Sequence, residues 1–327
     1  LPLMLLGAAG HAADIRVNTL LDSANPQDGV FDRDGLCSLR EALLVSIDRS
    51  PFFFPDCTPG ATGRDRIIID AEGTIVLQAP LEISNSGVDI EGNGPDKTII
   101  QQPLANQQRI ILATSAITLR SLALDGGYSA TNGGAIFTSG NLTLENVEIR
   151  GSQATENGGA IYLNYNAEQK RQLTVRRSQF TNNTAGGNGG VLSMVGQNAE
   201  HDLFFDGVSF IGNTAPAGAG GALDVNLPFG GGLRVLNSTF VNNDAVTGGA
   251  VDLQQTVQNS SAYFLNTTFV DNTATAAGAM ELGSGAGRVI MSNSVYVGSG
   301  SCSTGANRLE ESYFNLFASP RDPTGVA

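Results

Sequence analysis

The chain has 327 residues, of which 41 are glycine and only 15% are charged, and its 31 acidic against 18 basic side chains leave a formal net charge of −13. That balance argues against nucleic acid and anionic membranes as partners, because both need a basic face. So much glycine with so little charge suits a turn-rich β-body better than a helical one.

The opening residues LPLMLLGAAGHAA read as the apolar core and small-residue cleavage region of a secretory leader, so residues 1–13 are expected as a leader remnant and the mature chain from about Ala13 or Asp14. A short buried segment is the alternative. No later stretch has 18 consecutive apolar residues, so no transmembrane segment is expected, and the protein is expected to be secreted or at a bacterial cell surface. Export permits disulfides. Cys37 and Cys57 lie 20 residues apart in one loop-rich region and are expected to pair. Cys302 is left as a free thiol or for a partner beyond Ala327.

Residues 14–64 are expected to form an N-terminal cap. DIRVNTLLDS, residues 14–23, looks like an initial strand, and Ser38 with Glu41 three residues later makes a capping box. Leu39, Leu43 and Ile47 repeat at four-residue intervals, which predicts a short amphipathic helix from about Leu39 to Ser46. Such a helix would close the open end of a stack. Capping therefore explains Arg40 and Glu41 better than an active pair does.

From Asp65 the texture changes to short alternating runs, RIIID, TIVL, LEIS, VDIEG and TIIQ, too closely spaced for crossover helices. A repeat then takes over, best seen in LNSTFVNNDAVTGGAVDL, residues 236–253. Taking Phe240 as reference, equivalent positions are Ile149, Phe180, Phe210, Phe240, Phe269 and Tyr296, separated by 31, 30, 30, 29 and 27 residues. A fixed period near 30 residues means a solenoid. The predicted fold is all-β: a right-handed parallel β-helix over 65–299 with three short strands per coil, followed by a truncated coil or tail over 300–327. It is expected as a monomer.

Two motifs carry a resemblance. The string CSLREAL, Cys37 to Leu43, resembles the hallmark of bacterial secreted CSLREA-domain proteins, in which this module precedes a parallel β-helix. The paired G-G-A-apolar and F-x-x-N motifs resemble the repeats of chlamydial polymorphic outer-membrane proteins. Together they cover about Asp14 to Ser299 and imply a secreted or surface-exposed β-helix, often of unassigned activity; they do not imply a catalytic set.

Read in register, the repeat predicts inward columns. Leu142, Leu173, Leu203, Leu233, Ala262 and Val289 form one, and Leu144, Val175, Phe205, Val235, Phe264 and Met291 another. The Phe180 column supplies the second strand, while Leu192, Leu223 and Val251 supply the third. Asn183, Asn213, Asn243 and Asn272 are expected to form a hydrogen-bonded ladder at a left-handed bend.

Only one column points to chemistry. Phe137, Tyr162, Ser193, Asp224, Asp252 and Glu281 each follow the first inward residue of the third strand and are expected to face outward. Phe137 and Tyr162 could stack a sugar ring, and Asp224, Asp252 and Glu281 are oxygen ligands of the type that suits Ca²⁺. Three readings stand: a solvated acidic stripe, a binding stripe for Ca²⁺ or an extracellular polysaccharide, and a polysaccharide lyase or glycoside hydrolase built on the carboxylates. No residue is nominated as catalytic.

Other chemistry finds no support. With the leader removed His201 is the only histidine, expected in an exposed loop, which argues against triads and multi-histidine metal sites. Gly186–Gly190 lacks the lysine of a phosphate loop, and no cofactor motif is present. Arg171, Arg176 and Arg177 make one basic spot that balances the acidic surface.

Overall fold

The computed structural model describes residues 12–23, 35–48, 56–84, 87–165, 169–196, 199–227, 229–254, 259–283, 287–298, 302–304 and 309–318. Residues 1–11 of the expected leader, most of the expected tail from 300 and the side chain of Cys302 lie outside the described residues.

Alternation of buried and exposed side chains makes each short run a strand, and the 30-residue period places every strand beside its counterpart in the next coil. The result is a parallel β-helix. In one coil a strand, Leu142–Arg150, is bent at Asn146, where φ is 54°; Gln153–Ala154 and Ile161–Tyr165 follow. The next coil repeats the path with Gln172–Arg176, Gln179–Thr181, Thr184–Ala185 and Leu192–Gly196. The first and second strands stack into a 19-stranded sheet, the third strands into a nine-stranded sheet and the short strands into a six-stranded one. That last sheet, between the asparagine bend and the glycine pair, is an addition to the three strands expected.

The predicted core columns hold. Leu142, Leu173, Leu203, Leu233, Ala262 and Val289 pair in parallel register on successive coils, and all are buried. In the column of the second strand Phe180, Phe210, Phe240, Phe269 and Tyr296 stack ring on ring, with centroids 4.4–5.3 Å apart and planes within 4–9° of parallel. Near-parallel stacking follows from the register, which gives each ring the same rotamer slot. Phe240→Ala is expected to lower unfolding free energy by about 3–5 kcal/mol, because it opens a cavity in the middle of that rod. Urea denaturation with an unchanged slope would measure it.

The asparagine ladder is present, with one refinement. Asn183, Asn213, Asn243 and Asn272 are buried, and each amide oxygen accepts the backbone N–H of the coil before at 3.0 Å. Each amide nitrogen donates to a backbone carbonyl, that of Ile149, Phe180, Phe210 or Phe240, at 3.0–3.1 Å. The left-handed conformation falls one residue earlier, at Asn182, Gly212, Asn242 and Asp271. The chain turns there, which leaves the ladder residue pointing inward.

The N-terminal end is closed as expected. The helix runs Leu39–Asp48, two residues beyond the predicted end. Ser38 N donates to Glu41 Oε2 at 2.8 Å and Glu41 N to Ser38 Oγ at 3.2 Å, which satisfies two orphan donors reciprocally. Leu39 and Leu43 are buried in the same core cluster as Ile15 and Ile67, with Ile47 packed against it. Cys37 and Cys57 are disulfide-bonded. Arg40 is a clamp: it binds both Asp22 oxygens at 2.8 Å and donates to the carbonyls of Ala79 and Pro80, the residues leading into the first third-sheet strand. No helix among the described residues is long and apolar enough to cross a membrane.

Candidate functional site

The column expected to carry chemistry is continuous. On the third sheet Phe137 pairs with Tyr162, Tyr162 with Ser193, Ser193 with Asp224, Asp224 with Asp252 and Asp252 with Glu281, each on successive coils. Asp224, Asp252 and Glu281 therefore share one side of the sheet at single-coil spacing. Phe137 and Tyr162 are half-buried with ring centroids 5.4 Å apart, and the Arg109 guanidinium lies 5.1 Å above the Phe137 ring.

Burial departs from expectation at two positions. Asp224 is 9% exposed and Asp252 3% exposed, so the centre of the column is not a solvated stripe. Alternation aims both carboxylates away from the core, yet neither is open to solvent, so direction and exposure part here. The turn into each strand is tight: a Cβ on Gly220 or Gly248 would lie 2.9–3.0 Å from the backbone nitrogen of Asp224 or Asp252, and both glycines have positive φ, which a side chain would oppose.

Burial pushes the Asp224 carboxyl up to about 6, against hydrogen bonds from Ser193 Oγ, at 2.8 Å, and the Asn188 amide. Asp252 is pushed up to about 7, first by burial and then by the negative charge of Asp224 and Glu281, with a hydrogen bond to Gln254 opposing. Burial also raises the Tyr162 phenol, helped by Glu156 and Asp224. Two adjacent carboxyls thus titrate near neutrality, where one can hold a proton while the other is ionised.

Asp224, Asp252 and Glu281, expected as possible Ca²⁺ ligands, stand in a row on successive coils and do not gather round one point. Among the described residues no three His, Cys, Asp or Glu side chains come together as a group able to hold a metal ion. The physical reason is linearity: one column sets its carboxylates in a row at about 4.8 Å per coil, so the first and third stand about 10 Å apart. A calcium ion needs six or more oxygens at about 2.4 Å around a point.

His201 is a second correction. It lies in the strand His201–Asp206, is 1% exposed and packs against Tyr165 with ring centroids 5.1 Å apart. Its Nδ1 accepts the backbone N–H of Arg171 at 3.2 Å, and burial lowers its pKa. Protonation would remove that acceptor, so this is a neutral packing residue.

A second asparagine ladder, not anticipated, runs beside the acidic column. Asn132 Oδ1 accepts from Asn157 N, Asn157 Oδ1 from Asn188 N, and Asn188 Oδ1 from Ala219 N, at 2.9–3.0 Å. Its signal was the triplet Asn-Gly-Gly at 132–134, 157–159 and 188–190. The ladder ends at Ala219, on the same coil as Asp224, which the Asn188 amide also reaches. Elsewhere, a cavity of about 10 Å³ lined by Phe269, Asn272, Ala279, Tyr296 and Val297 is large enough for roughly one water.

No protein-family model matches the chain, and no curated protein matches it either.

Proposed function

We propose that this chain is an exported or cell-surface β-helix that binds an extended saccharide along its third-sheet face without turning it over. The observation that supports this reading is the single column in which the stacked Phe137–Tyr162 pair is followed, coil by coil, by Ser193, Asp224, Asp252 and Glu281. Aromatic faces take the apolar side of a sugar ring, and the half-buried Glu281 carboxyl at the other end of the column takes hydroxyls, while the buried Ser193, Asp224 and Asp252 between them hold the row in register. An elongated ligand fits a ligand-sized row better than a pocket would. The cysteine-bounded CSLREAL module and its disulfide accord with export.

Tyr162→Ala is expected to weaken retention on an insoluble polysaccharide by about tenfold, at the scale of 1.4 kcal/mol for one stacking contact. Affinity electrophoresis across a set of neutral polysaccharides reads this out. Unchanged retention on every polysaccharide bound by the parent chain would defeat the reading.

One observation favours a second reading. Asp224 and Asp252 are adjacent carboxyls with pKa values raised to about 6 and about 7, the condition under which one serves as general acid beside an ionised partner. A glycoside hydrolase or polysaccharide lyase would show turnover that Asp224→Asn or Asp252→Asn abolishes, and such turnover would replace the binding reading.

A further inference from the structure

The second strands present an outer face unrelated to the acidic column. Ser209–Ile211, Thr239–Val241, Thr268–Val270 and Val295–Val297 lie on four successive coils in parallel register. Their middle residues, Phe210, Phe240, Phe269 and Tyr296, are buried in the aromatic rod, so the residues on either side face out. Two straight ranks result. Ser209, Thr239, Thr268 and Val295 form one, and Ile211, Val241, Val270 and Val297 the other. Val297 is exposed and the others are half-buried. In a chain of net charge −13, neither rank holds a charged side chain.

This face is flat as well as uncharged. Neighbouring strands of a sheet ordinarily rotate by about 20° relative to one another. The four rings behind the ranks lie within 4–6° of parallel, with centroids 4.4–4.9 Å apart, so these coils rise with little rotation. Along a rank the step is one coil, about 4.8 Å, and across the ranks it is two residues of one strand, about 6.7 Å. The hydroxyls of Ser209, Thr239 and Thr268 take no protein partner among the described residues. The strip is therefore a rectangular lattice of methyl groups and unused hydroxyls.

What covers such a strip must be flat, uncharged and periodic. A second copy of the chain does not fit. The two ranks span about 14 Å by about 7 Å, or roughly 100 Å², far below the roughly 800 Å² per partner of a stable protein interface. We infer that the strip binds ice. The water lattice on a prism face of ice repeats at spacings close to one coil in one direction and two strand residues in the other. Methyl groups order the water between them without the tight hydration shell of a charge, and the three hydroxyls donate and accept within the lattice. An adsorbed chain then blocks the lattice sites under it, and the ice front must curve to grow past. The strip is on a different sheet from the column under Proposed function, and neither depends on the other.

Partition of the full chain between slowly growing ice and the remaining liquid tests this, together with the gap between freezing and melting points of a single ice crystal. The parent chain is expected to concentrate in the ice and to open that gap. Val270→Arg sets a charge in the second rank that must be stripped of water to meet a neutral lattice, and is expected to shrink the gap about tenfold. Thr268→Gln is uncharged but stands proud of the strip, and is expected to give a similar loss, so a folding defect in Val270→Arg leaves the test intact. Urea midpoints show which variants are folded. Tyr162→Ala, on the third sheet, is expected to leave the gap unchanged. Exclusion of the parent chain from ice, a full gap in folded Val270→Arg or Thr268→Gln, or an equal loss in Tyr162→Ala would each overturn the inference. Concentration-dependent dimerisation that Thr268→Gln abolishes would assign the strip to a second copy and overturn it too.

Discussion

At pH 8 the Asp252→Asn variant is expected to be more stable than the parent chain by about 4 kcal/mol, and at pH 3 the two are expected to be nearly equal. Asp252 has its pKa raised from the ordinary 3.8 to about 7 in the folded state. The folded chain therefore holds this proton over a pH range in which the unfolded chain has lost it. Stability from that proton is fully present below the unfolded value and is lost as pH rises through the folded one, at about 1.4 kcal/mol per pH unit between the two. Asparagine keeps the size and a hydrogen-bonding oxygen but never ionises. Urea midpoints from pH 3 to pH 8 measure the effect, and a constant difference across that range would show that Asp252 is not the group responsible. Asp224 acts in the same direction over a narrower window, because its folded value is about 6. His201 has the opposite sign: its folded pKa is lowered, so its contribution is complete above its unfolded value and is lost as pH falls.

Asn213→Ala is expected to cost about 4 kcal/mol, comparable to a large core truncation. Asn213 is 0% exposed. Its Oδ1 accepts from both the backbone and the amide nitrogen of Asn183 at 3.0 Å, and its Nδ2 donates to Phe180 O at 3.1 Å and Asn243 Oδ1 at 2.9 Å. Alanine leaves the Asn183 N–H, one Asn183 amide hydrogen and the Phe180 carbonyl buried without that partner, at about 1–3 kcal/mol each before relaxation or entry of water. Thermal and urea unfolding would read the loss. A cost below about 1 kcal/mol would mean that water replaces the amide, and that the ladder specifies coil register more than it stabilises it. Asn242→Ala, at the left-handed position next in line on the following coil, is expected to cost less, since its price is conformational strain at one residue of φ 53° and no buried bond is assigned to that side chain.

Much of the scaffold was legible because a solenoid writes each structural role once per period. Phe180, Phe210, Phe240 and Phe269 could be identified as one rod before any coordinate, since residues about 30 apart must stack. The capping box at Ser38 and Glu41 was equally legible, being local to four residues. The short sheet through Thr184–Ala185 and Thr214–Ala219 was not, because the first is two residues long and the second buries only Ala215, so neither shows an alternation to read. His201 was misread for a related reason: its polar neighbours Glu200 and Asp202 suggested a loop, whereas the strand period turns His201 inward and Asp202 outward.

For the candidate sites the division is sharper. The sequence alone determined which residues share a column, so Asp224, Asp252 and Glu281 fell on one side of one sheet, and the register bears this out. Whether that side is wet was decided only by the tertiary structure. Alternation reports the direction of a side chain relative to its own strand, while exposure depends on what else packs against it, and Asp224 and Asp252 point outward yet are buried.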